Sequence, residues 1–83
     1  MHIRLKLFAS LADHLPPGAR RNEARIEVPE GASVQDVVER LGIPDEQAHL
    51  VIVNGLFIPC SLRERERLHD GDTVAIWPPV AGG

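Results

Sequence analysis

Cysteine occurs once in this chain, at Cys60, lysine once, at Lys6, and tyrosine not at all. A single thiol permits no intrachain disulfide, no thiolate cage for zinc and no cysteine-ligated iron–sulfur cluster. His2, His14, His49 and His69 lack the spacing of metal ligands, so no metal is expected. No apolar run is long enough to span a bilayer, and nothing near Met1 resembles a secretory leader. The expectation is therefore no membrane and a cytoplasmic location. Neither charge sign dominates: nine basic and twelve acidic residues leave a net charge of −3. They interleave along the chain without a Lys/Arg stripe, so nucleic acid is not an expected partner. The alternating stretch Arg63 to Arg67 reads as a solvated turn or short helix. Cys60, following Pro59, reads as a half-buried structural residue.

The 83 residues make one domain. A chain of this size buries only about 60% of its unfolded surface. That leaves little room for an enclosed active site and favours a partner-dependent role over an enzyme. Ile3, Leu5 and Leu7 alternate with His2, Arg4, Lys6 and Phe8, which predicts a strand with one buried face. One helical turn is expected over Ser10 to Leu15, and a loop over Ala19 to Ala24. A second strand follows at Arg25 to Val28. Ser33 with Asp36 three residues on is a capping-box signal. The apolar set Val34, Val37, Val38 and Leu41 predicts one amphipathic helix, closed by Gly42. Leu50 to Val53 reads as an interior strand, and Asn54-Gly55 as a hairpin turn returning through Leu56 to Ile58. Leu68 anchors the next segment, Asp70-Gly71-Asp72 is a tight turn, and Thr73 to Trp77 form the last strand.

Beyond that strand come Pro78, Pro79, Val80, Ala81, Gly82 and Gly83. The prolines fix φ, and they either end the strand or stiffen the exit. The glycines carry no Cβ and would thread a passage too narrow for side chains. Fully extended, the segment reaches about 20 Å.

The strand, strand, helix, strand, short strand, strand order predicts an α+β β-grasp: a mixed sheet crossed by one main helix. Its expected body is 1–77, with a flexible tail at 78–83. This order, the Asn54-Gly55 hairpin, the Asp70-Gly71-Asp72 turn and the Pro-Pro-Val-Ala-Gly-Gly ending resemble the ubiquitin-like sulfur carriers. That family includes the small subunit of molybdopterin synthase and the thiazole-pathway sulfur carrier. The proline-containing ending is similar to the molybdopterin branch, whereas the short link Ile43 to Ala48 is closer to the thiazole type.

The resemblance implies no bound cofactor, an E1-like adenylating enzyme that spends ATP, and a C-terminal thiocarboxylate at Gly83. The sulfur would then pass to a molybdopterin synthase large subunit, or to a thiazole synthase. A ubiquitin-like modifier conjugated through Gly83 shares the same fold and tail. If Val74 and Ile76 face the helix, Ala75 and Trp77 lie on the opposite face beside Phe8. Trp77 is then either a docking anchor, with Phe8 and Ala75 beside it on a partner-docking face, or a packing contact.

Overall fold

Along the chain run β1 (His2–Leu7), β2 (Glu23–Glu27), α1 (Val34–Arg40), β3 (Leu50–Val53), β4 (Leu56–Phe57) and β5 (Thr73–Trp77). The computed structural model describes residues 1–79. Within them the strands form one mixed sheet ordered β2-β1-β5-β3-β4. β1 pairs antiparallel with β2 and parallel with β5, while β3 runs antiparallel to both β5 and β4. Short 3₁₀ helices at Ala9–His14, Asp45–Gln47 and Cys60–Leu62 join these elements.

Alternation decides which face is covered. Ile3, Leu5 and Leu7 of β1, Val51 and Val53 of β3, and Val74 and Ile76 of β5 are all buried. Val34, Val37 and Val38 of α1 join them in one core, completed by Leu11, Ile43 and Leu68 among others. Burying each such side chain is worth about 1.5–3 kcal/mol.

Helix α1 starts where the sequence places it. The Asp36 N–H donates to Ser33 Oγ at 3.1 Å, and the Ser33 N–H donates to Asp36 Oδ2 at 2.9 Å. The Ser33 backbone bond, then the Ser33 side chain, hold the Asp36 carboxyl below its ordinary range; partial desolvation opposes them and Arg67 adds a smaller attraction. Gly42, at φ 74, closes the helix in the left-handed conformation.

The hairpin turn also forms as expected, with Asn54 at φ 50 and Gly55 at φ 86. Asn54 does more than turn the chain. Its Oδ1 accepts from the Thr73 N–H at 2.9 Å and its Nδ2 donates to Asp72 Oδ1 at 2.9 Å. Asp70 accepts from the His2 N–H at 2.7 Å, and Asp72 from the His69 N–H at 2.7 Å. Both aspartates are thus turn residues.

Four expectations need correction. β2 begins at Glu23, two residues before Arg25, because Arg20 and Glu23 exchange both backbone hydrogen bonds at 3.0 Å and close a hairpin there. β3 is interior in the sheet, but Leu50 and Ile52 are only half-buried, since no helix covers their face. Arg63 is buried rather than solvated, at 3% exposure, with Nη2 donating to the His49 carbonyl at 3.2 Å. Cys60 is exposed, at the start of a surface 3₁₀ turn.

Candidate docking face and root of the tail

Period-2 alternation gives the sheet a second face, turned away from α1. In register across it lie Lys6, Ala75, Ile52 and Phe57, one from each of β1, β5, β3 and β4. Trp77 faces Leu50 across the next pair, and Thr73 faces Arg4. Phe8, just past β1, is drawn alongside β5 by its N–H bond to the Ile76 carbonyl at 3.2 Å. Its ring stacks on Trp77 with centroids 4.3 Å apart and planes within 1°.

The face is therefore apolar in the middle and polar toward β2. Phe57 stands 58% exposed, whereas Trp77 and Phe8 are half-buried because each covers the other. Trp77 does make the packing contact. Ala75, expected to present itself to a partner, is only 7% exposed, since the longer side chains flanking it in register leave it as a floor. Leu50, Ile52 and Phe57 were missed as members of this face. The signal was present: with Val51 and Val53 inward, alternation places Leu50 and Ile52 outward.

The tail leaves from the end of β5. The last rung holding it is the His49 N–H bond to the Trp77 carbonyl at 3.1 Å. The carbonyl of the same residue, His49, accepts from Arg63. Pro78 is half-buried and Pro79 exposed. The expected tail residues Val80, Ala81, Gly82 and Gly83 lie outside the described residues.

Among the described residues, no three His, Cys, Asp or Glu side chains gather as a metal site, and no helix is long and apolar enough to cross a membrane.

A mixed five-stranded sheet of this order with one helix across one face defines a ubiquitin-like β-grasp protein. The chain belongs to the ThiS family, which it matches over residues 5–83. Among solved structures it is similar to a Pyrococcus furiosus protein described as subunit 1 of a molybdopterin converting factor, at 29% identity and a TM-score of 0.67, covering 95% of this chain and 98% of that one. It is also similar to small archaeal modifier protein 1 of Haloferax volcanii, at 28% identity and a TM-score of 0.66, with the same coverages of 95% and 98%. The fold recurs in the complex of subunits 1 and 2 of the Helicobacter pylori molybdopterin-converting factor, at 18% identity and a TM-score of 0.60, covering 100% of both chains. Among curated proteins no match was found.

Proposed function

We propose that this protein is a sulfur carrier whose Gly83 carboxylate is adenylated and converted to a thiocarboxylate. One observation carries the reading: the ThiS family match runs through the tail to Gly83. The chemistry follows from the group. A carboxylate is a poor electrophile, so an E1-like adenylating enzyme first joins it to the α-phosphorus of ATP and releases pyrophosphate. A sulfur nucleophile then displaces AMP and leaves the thiocarboxylate on Gly83. This chain binds no cofactor of its own in that cycle. Catalysis belongs to the partners.

The acceptor in this proposal is the large subunit of a molybdopterin synthase, with this chain as the small subunit. The Pro78-Pro79 pair supports it, and so does the likeness to the Pyrococcus furiosus subunit 1. A thiazole synthase is the alternative acceptor, favoured by the short Ile43 to Ala48 link. Pro78, Pro79, Val80, Ala81 and Gly82 thread the partner's passage while Phe8 and Trp77, with Ala75 as floor, dock the body. The likeness to an archaeal modifier protein favours one second reading, conjugation of Gly83 to lysines of other proteins.

Incubation with an adenylating enzyme, ATP and a sulfide source tests the reading. The intact mass should rise by the difference between sulfur and oxygen. Deleting Gly83, or appending one residue after it, should abolish that rise without lowering the melting temperature. Continued sulfuration of the extended chain would refute the proposal. Separate mixtures with a molybdopterin synthase large subunit and with a thiazole synthase then assign the acceptor.

A further inference from the structure

The chain is acidic overall, yet its basic residues are not spread evenly in space. Arg4 and Arg25 are direct cross-strand partners of β1 and β2, on the face turned away from α1. Like charges placed opposite each other on a sheet destabilise it. Arg20 and Arg21 sit in the tight turn that leads into β2, and all four arginines are exposed. They line an open groove of about 490 Å³ together with Gly18 and Glu23. Glu23 is the one acid of the groove, and it is already engaged, with Oε1 3.2 Å from Arg4 Nε. Among the described residues, Arg20, Arg21 and Arg25 have no ion-pair partner.

The turn itself supplies a second, independent observation. Arg21 and Asn22 form a two-residue hairpin connection, closed by the paired hydrogen bonds between Arg20 and Glu23. Arg21 takes φ 57 while Asn22 does not share the positive φ. Hairpins of that kind favour glycine at the first central position. The other tight hairpin meets its backbone demand with Asn54 and Gly55. Here the chain keeps a long cation in a conformation that L side chains rarely adopt.

We infer that this arginine groove is a docking site for an acidic segment of a partner protein, one that presents several Asp or Glu carboxylates in extended form. Guanidinium groups match carboxylates in paired, planar geometry. Through Lys6 and Arg4 the groove continues into the apolar strip carrying Phe8 and Trp77, the arrangement of an interface with an apolar centre and a charged rim. Nucleic acid fits less well. No aromatic side chain lines the groove to stack a base. The inference does not depend on the chemistry at Gly83.

The test uses the full chain, isotopically labelled, titrated with a hexaglutamate peptide at low salt. Inorganic phosphate and a single-stranded oligonucleotide of similar charge serve as comparison probes. The peptide should shift the amide resonances of Arg4, Arg20, Arg21 and Arg25, and added salt should weaken it. Arg25→Gln and Arg21→Gly should each reduce affinity several-fold, and the pair on the order of tenfold. Arg65→Gln, an exposed arginine outside the groove, should leave affinity unchanged. Arg21→Gly should not lower the melting temperature, since glycine relieves the left-handed residue, so lost binding there is not lost folding. The inference is overturned if the peptide does not bind, if Arg65→Gln weakens it as much as the groove variants do, or if the oligonucleotide or phosphate shifts the same amides with equal affinity.

Discussion

Phe8 and Trp77, separated by nearly the whole chain, stack face to face at 4.3 Å and join the end of β1 to the end of β5. Parallel pairing of those strands brings the rings together where the tail begins. A double-mutant cycle should read their coupling directly. Phe8→Ala and Trp77→Ala should each destabilise, and the stacking should appear as about 0.5–1.5 kcal/mol of non-additivity in denaturant unfolding. Additive losses would mean that each ring packs independently. Under the docking proposal, Trp77→Ala should also weaken partner binding by about 2 kcal/mol.

The capping box of α1 makes a pH-dependent contribution. Asp36 has a folded-state pKa below its unfolded value, so its stabilising effect is fully present above the unfolded pKa, about 3.9. It is lost as pH falls through the depressed folded value. Ser33→Ala should cost about 1 kcal/mol at neutral pH. Asp36→Asn should be less stable than the parent at pH 7, and the gap should close in acid. A gap that is constant down to pH 2 would contradict the role given to the carboxylate.

Arg63 offers a contrast between burial and charge. Its Nε–H is buried and finds no acceptor among the described residues, and its one side-chain bond goes to the His49 carbonyl. Replacing a buried cation with an apolar chain of similar length is often neutral or better. Arg63→Met should therefore unfold within about 1 kcal/mol of the parent, whereas Arg63→Ala should lose about 2 kcal/mol or more through the space it leaves. Because His49 also holds the Trp77 carbonyl, both variants should speed hydrogen exchange at the His49 amide. Unchanged exchange would separate Arg63 from the root of the tail.

Gly82→Val tests the proposed threading. The substitution should leave the melting temperature unchanged and block sulfur transfer, since a β-branched side chain restricts the backbone and widens the probe. Transfer at the parent rate would show that no narrow passage is used.

Much of the architecture was legible because its signals are local. Alternation around Ile3, Leu5 and Leu7 depends on no distant residue, nor does the Ser33–Asp36 box or the Asn54-Gly55 turn. The start of β2 was missed because Arg21 occupies a position where glycine would have announced the turn. Arg63 was read as solvated because alternating charge says nothing about which residue the turn folds inward. The arginine groove was invisible for a related reason. Along the chain Arg4 stands far from Arg20, Arg21 and Arg25; only the pairing of β1 with β2 sets Arg4 opposite Arg25. Of the apolar face, Phe8 and Trp77 were found from strand parity, but Phe57 needed the register of β3 with β4. The tail residues Val80 to Gly83 were read from sequence alone and lie outside the described residues.

β5 is the middle strand of five, gripped by β1 on one side and β3 on the other. A partner that draws on the tail pulls along the axis of that strand, so the load falls in shear on two hydrogen-bonded ladders at once. An edge strand under the same pull would be held by one ladder; this one must slip past both neighbours together. The same placement governs assembly during synthesis. Until Thr73 to Trp77 emerge, the described strands form only two separate antiparallel pairs, β1–β2 and β3–β4, with no strand to join them into one sheet. The strand that carries the tail is therefore the keystone of the body, and a chain cut before it should not fold.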